Sequence, residues 1–260
     1  MRFHRLFIAI TFALTPVILD AQEISVGTDQ DKPIEERILY NHETTLSATI
    51  HTQGLGVGFK TGRIRSIERT TNWNFEFSYF RSLKQIPIIN TTYFSVNTFI
   101  YGKLNEVFVL RGGYGEDRRI YGKPYWGGVE LRWLYEGGFS LGLLKPYYYT
   151  VSVANVGPDG QYSLEVENHT FNDGSQWMEV LGKAPFSYGL NETKLRPGVY
   201  VKVGLSFEIG TSRPRAQAID VGAAVDYFPQ GIPMMADNPL DYYTITLFLS
   251  YRWGSRFNKQ

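Results

Sequence analysis

From Tyr242 to Trp253 the chain alternates residue by residue. One face carries Tyr243, Ile245, Leu247, Leu249, Tyr251 and Trp253, and the other Tyr242, Thr244, Thr246, Phe248, Ser250 and Arg252. Successive strand side chains point to opposite sides, so such a strand offers hydrocarbon on one side and mostly polar groups on the other. Aromatic rings at both ends suit the two interfaces of a bilayer, which is the pattern of a transmembrane β-strand. The position near the C-terminus matters too: an aromatic-ended last strand is what barrel-assembly machinery reads, and Tyr251 and Trp253 are the candidates for that signal.

The same period of two returns in segments of about ten residues, the span of a tilted membrane strand. They are Thr44–His51, Leu55–Arg63, Asn72–Arg81, Thr92–Tyr101, Asn105–Gly113, Tyr125–Tyr135, Gly138–Val151, Pro197–Gly210 and Ala216–Phe228. With the last segment they predict an all-β fold, a transmembrane antiparallel up-and-down β-barrel of about 10 strands, with 8 or 12 as alternatives. A soluble β-sandwich also alternates, but it has no need of aromatic residues at so many strand ends.

Composition agrees with strands rather than helices as the membrane element. Aromatics make up 15% of the chain, yet mean hydropathy is only −0.22. Past the N-terminus no apolar run approaches the roughly 20 residues of a helical span. A net charge of +1 gives no electrostatic case for a nucleic-acid partner. The absence of Cys excludes disulfides and thiol chemistry.

Residues 1–21 have the form of a secretory signal, with Arg2 and Arg5 before an apolar core from Leu6 to Leu14 and a cleavage site at Leu19-Asp20-Ala21. The expected mature protein has a periplasmic arm over 22–43, an outer-membrane barrel over 44–253 and a tail over 254–260. Its expected partners are outer-membrane lipid, the barrel-assembly machinery and another envelope protein.

Bacterial barrels have short periplasmic turns and long extracellular loops. On the ten-strand division the short connections are Ile64–Thr71, Gly102–Leu104, Glu136-Gly137 and Thr211–Arg215. They gather Arg63, Arg65, Arg69, Lys103, Arg213 and Arg215, a basic ring suited to anionic headgroups or to an acidic periplasmic partner. The long connections are Ser82–Thr91, Tyr114–Pro124, Ser152–Arg196 and Pro229–Asp241, while Thr52–Gly54 is tight. Within or beside the extracellular segment 152–196 the sequence predicts a hairpin, Tyr147–Val153 with Tyr162–Val166 around Pro158-Asp159-Gly160, and a helical turn near Gln176–Gly182.

The polar faces of the strands carry Lys60, Glu76, Arg111, Glu130, Arg132, Lys202, Glu208, Asp220, Asp226 and Arg252, five basic and five acidic. A small barrel is little wider than its own side chains, so such charges are expected to pair as a lumen network rather than line a wide pore. Catalysis has weaker support. His51 near one rim, and His169 near Asp173 and Ser175, make a rim hydrolase conceivable. No HExxH, CxxC, GxSxG or Walker sequence occurs, so no metal site or cofactor is expected.

Three stretches, Glu43–Phe59 (ETTLSATIHTQGLGVGF), Tyr101–Gly115 (YGKLNEVFVLRGGYG) and Tyr135–Tyr147 (YEGGFSLGLLKPY), resemble a family of small outer-membrane β-barrel proteins of Bacteroidota. The resemblance runs over Glu43–Val151 and implies location and fold, with no assigned reaction or site residues. It favours a noncatalytic barrel with a structural or partner-binding role, as a subunit of an envelope assembly or transport complex. The alternatives are a narrow porin-like channel and, third, the rim hydrolase.

Overall fold

Alternation, more than turn-forming residues, decides how long the wall strands are. The computed structural model describes residues 40–89, 98–122, 128–156, 162–171, 177–209, 215–236 and 238–258. Thirteen strands occur among them: β1 (His42–His51), β2 (Gly54–Ile64), β3 (Arg69–Phe80), β4 (Pro87–Ile89), β5 (Thr98–Ile100), β6 (Asn105–Tyr121) and β7 (Glu130–Pro146). The chain continues through β8 (Tyr148–Val156), β9 (Tyr162–Thr170), β10 (Trp177–Lys183), β11 (Lys194–Glu208), β12 (Arg215–Ile232) and β13 (Asp241–Phe257). Strands β1, β2, β3, β6, β7, β11, β12 and β13 close an antiparallel barrel in that order, and β13 pairs back onto β1 from His42↔Phe257 to His51↔Phe248.

The wall therefore has eight strands, not ten. Glu136-Gly137, read as a turn, sits inside β7, where Glu136 pairs with Lys202 on one side and Gly115 on the other. Gly137 and Gly138 invite a turn only when the pattern around them is ignored, since Leu134, Glu136, Ser140 and Leu144 keep one face throughout. Tyr114–Pro124, read as a loop, is largely β6. Of the expected strand Thr92–Tyr101, residues 92–97 lie outside the described set, and Thr98–Ile100 pairs with Pro87–Ile89 outside the wall. Residues 254–257, read as tail, extend β13, and His42 and Glu43, read as arm, begin β1.

Loss of two strands keeps the count even, so both barrel termini share one end with the β2–β3, β6–β7 and β11–β12 strand ends; this end is called the base. The other end, the mouth, carries the Thr52-Gln53 turn, the strands β4, β5, β8, β9 and β10, and the facing ends of β12 and β13. Lys103 is consequently a mouth residue, opposite the arginines with which the sequence grouped it.

Outward faces are apolar from Leu46 and Phe75 round to Leu247 and Leu249, all about half or more exposed. Aromatic rings collect near both ends of this band. Trp73 meets Tyr114 toward the base, with ring centroids 5.4 Å apart, and Tyr227 stacks on Tyr243 toward the mouth at 5.2 Å. Above the mouth, β8 lies between β9 and β10 in a three-stranded sheet. The expected hairpin is present as β8 and β9, whereas Trp177–Lys183 is strand β10 and not a helical turn. Val180 of that strand pairs with Val151, where both add to an apolar cluster with Tyr147, Tyr149 and Phe99.

Candidate functional site

The interior is built in layers. Nearest the base, the Arg256 guanidinium donates to Glu43 at 2.8 Å and Glu208 at 2.6 Å, and Arg132 pairs with Glu130 at 2.6 Å. The next layer centres on Asp117. Lys60 donates to its two oxygens at 2.8 and 2.9 Å, Asn72 at 3.1 Å and Arg252 at 3.3 Å. Arg252 also reaches Asp220 at 3.3 Å and Ser206 at 2.7 Å.

Midway along the barrel, Arg111 bridges two strands. It donates to Glu76 at 2.6 Å and to both oxygens of Asp226 at 3.0 and 2.5 Å, while Lys202 donates to the other Glu76 oxygen at 2.7 Å. Beside them Glu136 accepts from Tyr200 at 2.6 Å and Asn74 at 2.8 Å. Room for the Tyr200 ring comes from Gly113, where a Cβ would lie 2.4 Å from the Tyr200 hydroxyl.

All ten charges read as inward thus lie in the interior and enter ion pairs or hydrogen bonds with one another or with their neighbours. Asp117, Glu136, Glu43 and Arg256 also belong to the network and were not read there. Asp117 and Glu136 fall in the expected connections Tyr114–Pro124 and Glu136-Gly137, yet continuing the period of two from Arg111 through Gly113 and Gly115 reaches Asp117. Toward the mouth the polar layers give way to hydrocarbon: Phe80, Val107, Val109, Leu144, Phe228, Ile232 and Met234 pack together. The Arg111 guanidinium lies 5.2 Å from the Phe80 ring centre, so the two layers touch.

The basic base residues do not form one cluster. Arg63, Arg65 and Arg215 are exposed, Arg69 donates to Glu116 at 2.6 Å, and Arg213 lies outside the described residues. Of the catalytic candidates, His51 is buried edge-on to Phe80 and its ring nitrogens have no hydrogen-bond partner. His169 lies 2.6 Å from Glu167, and Asp173 and Ser175 are outside the described residues. Tyr251 and Trp253 stack on the outer wall with centroids 5.8 Å apart.

A second polar cluster lies outside the wall at the mouth and was not read from the sequence. Glu106 of β6 and Lys145 of β7 are register partners on the outward faces and are 3.4 Å apart. Lys183 of β10 reaches the other Glu106 oxygen at 2.5 Å. Lys103, almost wholly buried, lies 3.3 Å from the Tyr79 hydroxyl and over the Tyr147 ring. Burial holds the Lys103 ammonium down to about 8; Glu106 pulls it up, and Lys183, Lys145 and Arg81 push it further down.

Fold and interior define a closed eight-stranded antiparallel barrel with a packed, ion-paired core. A scan of protein-family models finds no match, and neither does a search of curated proteins. Among solved structures the chain is similar in shape to Neisserial surface protein A, at 8% identity and a TM-score of 0.39, over 84% of this chain and 97% of that one. It is also similar to Ail, the attachment invasion locus protein of Yersinia pestis, solved with the heparin analogue sucrose octasulfate, at 10% identity and a TM-score of 0.35 over 84% and 100%.

Proposed function

We propose that this chain is an integral outer-membrane barrel, exported by a cleaved signal, whose sealed body carries a platform at the mouth for a structural or partner-binding role. The membrane reading rests on an apolar outer face with aromatic residues toward both its ends. The nonconducting role rests on one observation, the apolar layer of Phe80, Val107, Leu144, Phe228 and Ile232 stacked on the Arg111 layer. An ion entering from the mouth would first have to part hydrocarbon and then break buried ion pairs, which argues against a narrow porin-like channel. The same reading makes lipid, the barrel-assembly machinery and another envelope protein the partners. It also retains the likeness to small Bacteroidota barrels. Planar-bilayer recording tests it: the refolded protein should give no steady single-channel current, and a large steady conductance would return the channel reading to first place.

A further inference from the structure

On the outer wall, a glycine stands between two large aromatic side chains. Phe75 of β3, Gly112 of β6 and Phe139 of β7 are neighbours in register and face outward, so Gly112 leaves a notch between two rings. The notch lies in an open apolar depression of about 670 Å³ that spreads across six wall strands from Leu46 to Pro197, with Phe75, Phe77, Leu110, Phe139 and Leu141 around Gly112. Its only nearby charged residues, Glu76 and Arg111, turn their side chains into the barrel, where they pair with each other.

Following the same outward face toward the mouth leads from Leu141 through Leu143 to Lys145, and from Leu110 through Phe108 to Glu106. At a strand rise of about 3.3 Å per residue, the lysine lies about 13 Å beyond the depression. Two lysines, Lys145 and Lys183, share the single carboxylate of Glu106 there, and Lys103, buried beside them, has no carboxylate within ion-pair distance among the described residues. Lys183 is the open one, with its side chain 37% exposed. Phe186, half exposed, lies over Lys145 with the ammonium 4.7 Å from the ring centre and edge-on to the wall residue Phe108.

An apolar slot ending in surplus positive charge is complementary to one kind of molecule. We propose that this strip of wall binds a single lipid with a net-anionic phosphate headgroup, its acyl chain over Gly112 and its phosphate against Lys183, the buried Lys145 behind it adding positive charge without contact. The inference rests on the membrane reading above. Phosphate oxygens would take the ammonium protons that Glu106 leaves unused, and Phe186 would sit at the level of the glycerol esters. A zwitterionic lipid with the same tails would fill the slot equally well but would gain little from the lysines.

The test is native mass spectrometry of the refolded mature chain, released from micelles holding equal amounts of phosphatidylglycerol and phosphatidylcholine with identical tails. The phosphatidylglycerol adduct should dominate by about fivefold, the scale of one basic side chain at an anionic surface. Lys183→Gln should bring the ratio near one, and Lys183→Arg should keep it. Gly112→Leu should reduce both adducts, because a Cβ there meets only the Phe75 ring at an ordinary 3.7 Å and the added side chain fills the slot without disturbing the wall. Equal retention of the two lipids, a ratio unchanged in Lys183→Gln, or undiminished adducts in Gly112→Leu would overturn the site. Heat-modifiable gel mobility, run on each sample, separates the two ideas: a folded barrel without lipid preference sinks only the lipid site, and a chain soluble and folded without detergent sinks the membrane reading.

Discussion

Two neighbouring carboxylates on β6 show how much the facing of a side chain decides. Glu116 points outward and bonds Arg69, whose side chain is 55% exposed, so water can replace that partner. Asp117 points inward to Lys60, Arg252 and Asn72, where nothing else can. Asp117→Asn should therefore cost about 3–5 kcal/mol, since two buried cations lose their shared counterion. Glu116→Gln should cost under about 1 kcal/mol, the usual worth of an exposed pair. Urea unfolding of the refolded variants in detergent, followed by Trp fluorescence, reads both; similar losses would mean that Asp117 is hydrated in the folded protein. The inward set was legible from alternation wherever the strand was recognised. It is hidden at Asp117 and Glu136 because Gly113, Gly115, Gly137 and Gly138 leave gaps in the side-chain pattern, and those glycines make room for Tyr200 and for the close approach of β6 and β7.

At the scale of elements, the last strand and the mouth cluster make separate predictions. Tyr251 and Trp253 lie on the outer face of β13, and their loss removes exposed aromatic surface without opening the core. If they carry an assembly signal, Tyr251→Ala with Trp253→Ala should sharply lower the amount in outer-membrane fractions, and Thr244→Ser should not; equal amounts would remove the signal role. The mouth responds to pH through Lys103. Its folded value of about 8 lies below the usual 10.5, so at pH 7 the folded state bears the full cost of a buried ammonium. Between about pH 8 and 10.5 the unfolded segment binds more protons than the folded one, and stability of the mouth rises with pH across that window. Hydrogen exchange of residues 98–104 and 147–153, corrected for intrinsic rates, should show protection growing from pH 8 to 10, and Lys103→Met should flatten that growth. A flat wild-type profile would show that Lys103 is solvated. None of this was visible from order along the chain, because Lys103, Glu106, Lys145 and Lys183 come from four elements that only the folded mouth brings together.

For the molecule as a whole, strand count sets which ends share a compartment. Eight strands put Arg65 at the base and Lys84 at the mouth. As the chain has no Cys, single cysteines are clean probes: on intact cells an impermeant maleimide should label Lys84→Cys and miss Arg65→Cys. The reverse pattern would invert the topology. Barrel class and the even parity of the strands could be read from patterning, and the strand number could not, since a run of alternating residues carries no mark of where one strand is long and two would be short.

Closure has a kinetic side as well. The seam joins the first wall strand to the last, and Thr49 donates to Ser250 at 3.0 Å across 201 positions of chain. Contacts so distant in sequence form late, because loop entropy is lost before they return anything. Until β13 arrives, the growing sheet has two raw margins of unpaired amides and carbonyls, each able to take up a strand from another unfinished copy. Sealing is thus a race between a slow intramolecular zipper and a concentration-dependent mispairing.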